Sequence, residues 1–204
     1  MHSREFASRL RDERASAILR TDDRDRAAKM MDSAIRGGFR IVEFTLTIPG
    51  ALDLIAGFGK REDIIVGAGT VLTVEQAKDA VHHGAQFLVS PVTDEAVIAA
   101  AHDLGVACVP GAYTPAEMIR ADRAGAALVK LFPAPANGPE YVKQVLGPLP
   151  NLKIVPTAGV DEKNAAAYLR SGAWAVGFTT SLFSAADIES RARELLAACR
   201  QDVS

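Results

Sequence analysis

The chain lacks most features that would mark it for a membrane, a secretory route, a metal or a nucleic acid. Its 204 residues contain two cysteines, Cys108 and Cys199, with no C-x-x-C spacing. That argues against a disulfide framework, and both thiols read as small buried hydrophobes in a reducing compartment, with cytoplasm as the default. No apolar run approaches the roughly 20 residues that a bilayer-spanning helix needs, so no membrane partner is expected. Basic and acidic side chains number 23 and 25 for a formal net charge of -2, which makes no electrostatic case for nucleic acid or an anionic surface. The opening segment mixes Arg4, Arg9, Arg11 and Arg14 with Glu5, Asp12 and Glu13 and has no apolar core of signal-peptide type. Phe6 and Leu10, four residues apart, suit an amphipathic helix there instead. His82 and His83 are adjacent and diverge on a helix, while His2 and His102 lie in polar stretches, so no metal site is expected. No stretch resembles a linker, and residues 1–204 read as a single domain.

A repeated local pattern is present: a helical stretch, a glycine, then a short apolar run that ends in polar or breaker residues. It occurs at Gly37 through Thr45, Gly84 through Pro91, Gly105 through Pro110, Gly125 through Pro133 and Gly172 through Gly177. Each glycine is a candidate for the left-handed residue that closes a helix and turns the chain into a strand. Weaker strands at Ala17–Leu19, Ile64–Val66 and Leu152–Val155 bring the expected number to eight. Strands alternating with helices demand parallel pairing and right-handed crossovers. Eight such units predict an α/β chain folded as a compact (β/α)8 TIM barrel with an N-terminal helix. A doubly wound sheet is the alternative, and Ile18-Leu19-Arg20-Thr21-Asp22 lacks the Gly-rich turn it would need after its first strand.

Function in a barrel lies at the C-terminal strand ends. Here those ends carry Arg20, Glu43 with Thr45, Gly67-Ala68-Gly69-Thr70, Ser90-Pro91, Pro110-Gly111, Lys130 with Phe132, Pro156-Thr157-Ala158-Gly159 and Thr179-Thr180-Ser181. Lys130 is the unusual one, set inside Ala126-Ala127-Leu128-Val129-Lys130-Leu131-Phe132-Pro133. Burial disfavours the ammonium form and so lowers the pKa, which is what a Schiff-base amine requires. A lysine that snorkels to the strand end is the bland alternative. Alternation along a strand puts Leu128, Lys130 and Phe132 on one face and Ile41, Glu43 and Thr45 on another. If both faces point inward, amine and carboxylate line one pocket, a set suited to class I aldol chemistry.

On these residues the chain resembles the 2-keto-3-deoxy-6-phosphogluconate (KDPG) / 4-hydroxy-2-oxoglutarate (KHG) aldolase family. The resemblance rests on Val42-Glu43-Phe44-Thr45-Leu46, Gly67 through Leu72, Ser90-Pro91, Val109-Pro110-Gly111 and Val129-Lys130-Leu131-Phe132-Pro133-Ala134. It implies a (β/α)8 barrel, a homotrimer, no cofactor or metal, and reversible cleavage of a 2-keto-4-hydroxy acid to pyruvate and an aldehyde, as at the end of the Entner–Doudoroff route. By position it implies Lys130 as the Schiff-base residue and Glu43 as general acid/base. Thr70 would help hold the substrate carboxylate, and Pro91, Phe132 and Thr157 would wall the pyruvyl pocket.

Three departures from the family pattern concern the substrate. Thr47 stands where the family has an arginine that pairs with the substrate carboxylate, either contacting substrate itself or capping a helix before Ile48-Pro49. Ala158 precedes Gly159 where the family has two glycines, and Thr179 with Thr180 replaces a Gly-Ser pair. These four residues occupy the family's phosphate cradle, where the added Cβ atoms narrow the approach and the hydroxyls offer donors or cap the last helix. A non-catalytic barrel binding a small keto acid or anion, and a Schiff-base decarboxylase or dehydratase, are the alternative functions.

Overall fold

The structure, a computed structural model, describes residues 1–200. Helix α1 (Ser3–Glu13) precedes strand β1 (Ala15–Leu19), and from there strands and helices alternate. The order continues α2 (Arg24–Arg36), β2 (Ile41–Thr45), α3 (Ala51–Phe58), β3 (Ile65–Gly69), α4 (Val74–His82) and β4 (Phe87–Val89). Next come α5 (Glu95–Asp103), β5 (Ala107–Val109), β6 (Gly111–Ala112), α6 (Pro115–Arg123), β7 (Val129–Leu131) and α7 (Gly138–Leu146). The chain closes with β8 (Ile154–Pro156), α8 (Ala165–Arg170), β9 (Val176–Phe178), α9 (Thr180–Phe183) and α10 (Ile188–Arg200). The expected helix-closing glycines behave as their position requires: Gly38, Gly84, Gly105, Gly125 and Gly172 have φ of 119°, 97°, 71°, 93° and 97°. Side-chain caps start several helices, including a reciprocal capping box between Thr114 and Glu117 at α6.

All strand pairs are parallel, as the alternation demands. Six strands form one sheet in the order β5-β4-β3-β2-β1-β9, and three form a second in the order β6-β7-β8. The fifth expected strand is interrupted at Pro110, which has no N–H to donate. Its pairing with the neighbouring run nevertheless crosses the break, since Cys108 O accepts from Ala127 N–H and Pro110 O from Lys130 N–H, both at 2.9 Å. At the other edge Trp174 N–H donates to Ile154 O at 2.8 Å and a parallel bridge joins Thr157 to Gly177. The whole is a curled parallel sheet with helices packed on its outer side.

The apolar residues divide between two layers according to strand alternation. Leu19, Val42, Phe44, Val66 and Leu88 face outward into the layer shared with Met31, Ile55 and Leu195 of the helices. Ile41, Ile65, Phe87, Val89, Val109, Leu128 and Val155 face inward. Helix α1 covers one end of this inner layer with the Phe6–Leu10 face that its spacing predicted. Phe6 stacks on Phe87 with ring centroids 4.5 Å apart, and Trp174 donates its indole N–H to Ala7 O at 2.7 Å. Cys108 and Cys199 are free and buried, and burial pushes both thiols up to about 12. No helix among the described residues is long and apolar enough to cross a membrane.

Candidate active site

The inward faces of β2 and β7 bring Glu43 and Lys130 to one small interior cavity of about 20 Å³, walled also by Ser16, Ile18, Val155 and Thr157. Both charges are deeply buried, with 7% of Lys130 and 2% of Glu43 exposed. They form no salt bridge with each other. Burial pushes the Glu43 carboxyl up from its ordinary value, against the opposing pull of the Lys130 and Arg20 charges. Burial pushes the Lys130 amine down; the Glu43 charge opposes this and the Arg20 charge adds to it. Each group is thus moved toward its neutral form, an amine able to attack and an acid able to give up a proton.

Two local features hold these groups in place. The Lys130 ammonium nitrogen lies 5.0 Å from the centroid of the Phe132 ring, two residues along the same strand face. The Glu43 carboxylate fills the space that a side chain at Gly69 would take, since a Cβ built there would sit 1.8 Å from Oε1. That oxygen is buried and has no hydrogen-bond partner, so it is available to a group entering the cavity. Gly67, in the same motif, makes room for the Phe87 ring, which a Cβ would meet at 2.5 Å. These two glycines therefore serve side-chain packing inside the sheet.

Lys130 also lines the floor of a wider cleft of about 560 Å³ at the C-terminal strand ends. Phe132, Thr157, Ala158, Thr179 and Thr180 line it as well, so it gathers five further residues singled out in the sequence. Thr70 reaches this region through Arg20, whose Nη2 donates to Thr70 Oγ1 at 3.5 Å. Thr70 itself holds φ at 61°, a left-handed conformation that a β-branched residue rarely adopts. Ala158 and Gly159 are left-handed in succession, at 65° and 79°. Gly159, Pro91 and Thr47 are not among the residues lining the cavity or the cleft.

Two expected capping roles are not observed. Thr47 does not cap a helix, because α3 begins after Gly50, which is left-handed. Its hydroxyl is instead 2.8 Å from that of Thr45, which does line the cleft. Thr179 precedes α9 without a side-chain cap bond, and the Ser181 hydroxyl donates to Val160 O at 2.7 Å. The last helix, α10, follows Asp187, which accepts from Ser190 N–H at 2.9 Å.

The cleft also contains Arg20 and Arg26, which the motifs did not single out as site residues. Arg20 stands among the strand ends read from the sequence, without a role attached to it. Nothing in the charge-rich run Arg20-Thr21-Asp22-Asp23-Arg24-Asp25-Arg26 distinguishes Arg26. A larger space of about 620 Å³ lies elsewhere, against α1 and the N-terminal ends of β2 and β3. Its charged lining residues, such as Glu5, Arg9 and Asp63, belong to an open surface without a buried nucleophile, so its size carries no chemistry. Among the described residues no cluster of histidine, cysteine or carboxylate side chains could hold a metal ion.

A family model described as KDPG and KHG aldolase matches residues 6–199. A probable 2-dehydro-3-deoxy-6-phosphogalactonate aldolase of Rhizobium meliloti is 35% identical over 189 residues, covering 89% of each chain. The solved 2-keto-3-deoxy-6-phosphogluconate aldolase of Zymomonas mobilis with 3-phosphoglycerate is 27% identical at a TM-score of 0.88, covering 99% of this chain and all of that one (100%). A KDPG aldolase from Legionella pneumophila, with pyruvate captured as a covalent carbinolamine, is 25% identical at a TM-score of 0.81 and covers 95% of both chains.

Proposed function

Because the chain belongs to the KDPG and KHG aldolase family, we propose that it is a class I aldolase in which Lys130 is the imine-forming residue and Glu43 the general acid/base. Its reaction is the reversible cleavage of a 2-keto-3-deoxy sugar acid to pyruvate and an aldehyde. The observation that carries this reading is the burial of one amine and one carboxyl in a single cavity, each moved toward neutrality.

The Lys130 amine adds to the C2 carbonyl to form a carbinolamine. Protonation of its hydroxyl by the Glu43 carboxylic acid releases water and leaves an iminium. The carboxylate so formed takes the proton from the C4 hydroxyl. The C3–C4 bond then breaks, its electron pair flows into the iminium as an enamine, and the aldehyde departs. Protonation of the enamine and addition of water return pyruvate and the free amine. Arg20, Thr45 and Thr70 supply the charge and hydroxyls that a keto-acid carboxylate needs, and Arg20 takes over from the arginine that Thr47 replaces. The same imine would serve a decarboxylase or dehydratase, and family membership favours carbon–carbon cleavage.

The hydrogen bonds that cross the break at Pro110 and the bridge between Thr157 and Gly177 support reading the two sheets as one closed (β/α)8 barrel spanning a single domain. Leu72, Val92 and Tyr113 are large exposed hydrophobics that follow the ends of β3, β4 and β6. The exposure of these apolar side chains at the strand ends is what supports association of copies into a homotrimer. Two buried free cysteines suit a reducing, cytoplasmic setting.

Incubation with pyruvate and borohydride tests the assignment. The expected product is a reduced adduct on Lys130 located by peptide mass, and Glu43→Gln should slow turnover by about 10²-fold or more. An unmodified Lys130, or a fully active Glu43→Gln variant, overturns the corresponding role.

A further inference from the structure

The cleft above Lys130 is lined by two arginines, Arg20 and Arg26, and by no aspartate or glutamate. Charges of one sign with no counter-charge in the wall call for an anionic occupant. Neither arginine has a carboxylate partner among the described residues. The contrast within one helical turn is informative. Arg24 is held away by an ion pair with Asp53 at 3.2 Å. Asp23 is occupied as the cap of α2, accepting the backbone N–H of Arg26 at 2.9 Å. The Arg26 guanidinium is left exposed on the cleft wall, beside Met30 of the same helix.

The two arginines are not equivalent. Arg20 touches Thr70 at the strand ends, where the keto-acid carboxylate is placed above. Arg26 stands on α2, outside the sheet, at the exposed rim of a cleft whose floor is the buried Lys130. A substrate whose C2 is bonded to Lys130 extends its far end outward toward that rim. We propose that Arg26 is a specificity-determining residue of this chain that binds the anionic group at the distal end of the substrate. This rests on the aldolase reading of the same cleft. The Thr180 and Ser184 hydroxyls share the wall and can donate to the same group. The shared chemistry is a terminal anion, either a phosphate ester or a carboxylate.

The test compares the unaltered protein with Arg26→Gln and Arg26→Lys on three substrates: 2-keto-3-deoxy-6-phosphogluconate, its unphosphorylated counterpart, and 4-hydroxy-2-oxoglutarate, which ends in a carboxylate. Arg26→Gln should lower kcat/KM by about 10- to 100-fold, mainly through KM, for whichever anionic-ended substrate the site takes. The unphosphorylated sugar acid should change by less than about twofold, and Arg26→Lys should recover much of the loss. A selective fall with the phosphorylated substrate identifies a phosphate ester, and one with the dicarboxylate identifies a carboxylate; either supports the proposal. Equal changes on charged and uncharged ends, or none, overturn it. Pyruvate has no distal group, so exchange of its methyl protons in deuterated buffer should be the same in all three proteins. Absence of that exchange in the unaltered protein would instead refute the aldolase reading, and the role of Arg26 with it.

Discussion

Replacing Gly69 by alanine should disable Glu43 without touching it. The added Cβ would lie 1.8 Å from Glu43 Oε1, 2.6 Å from its Cδ and 2.9 Å from its Cγ. Unstrained contacts between heavy atoms start near 3.5 Å, so the carboxyl group must move by more than about 1 Å. The room available is small, because the adjoining cavity is about 20 Å³, space for about one water molecule. Two consequences follow from that displacement. Overpacking should lower the unfolding free energy by about 1–3 kcal/mol in urea denaturation. Displacement of the acid/base by about 1 Å should slow pyruvate methyl-proton exchange by about 10²-fold. The two effects can be tied to one contact, since the three nearest atoms all belong to Glu43. In a Glu43→Ala background the same Gly69→Ala change should therefore cost almost no stability, a coupling of about 1–3 kcal/mol between the sites. Exchange at the unaltered rate, or an equal stability loss with and without Glu43, would refute the reasoning.

The stability of the fold should carry the signature of the buried carboxyl. Its pKa is raised in the folded state, so the folded protein binds more protons between the ordinary value of 4.5 and the raised one. The favourable contribution is complete below 4.5 and lost as pH rises through the folded pKa. Relative to Glu43→Gln, which cannot ionise, the unaltered protein should lose unfolding free energy across that window and then level off; urea titrations at a series of pH values read this directly, and a flat difference contradicts it. Arg20→Gln should raise the KM for pyruvate by about 10- to 100-fold while leaving Lys130 open to borohydride trapping at saturating pyruvate, because the lost contact is a charge-assisted one at the exposed strand end. An unchanged KM would remove Arg20 from the carboxylate site.

What could be read from the sequence, and what could not, divides along physical lines. Local rules leave local traces. A glycine that follows a helix and turns the chain into a strand commonly takes a positive φ, and Gly84, Gly105, Gly125 and Gly172 do so. A lysine inside an apolar strand is unusual on composition alone, and alternation placed it on one face with Phe132. The break of the fifth strand at Pro110 was visible as a proline, although its effect on pairing was not.

The roles that escaped notice depend on contacts between segments far apart in the chain. Gly67 and Gly69 look like a loop motif, yet each is required by a side chain on a neighbouring strand, Phe87 on β4 and Glu43 on β2. Arg26 lies in a turn rich in both charges, where the ordinary expectation is a solvated face. Only its position beside the cleft, once the curled sheet sets the end of β1 near β9 and Lys130 into the floor, turns an unremarkable surface arginine into a cation facing a pocket without a counter-charge. Chemistry that depends on burial was therefore legible in the strands, whereas substrate selection, which depends on which exposed charges are left without partners, required the three-dimensional arrangement.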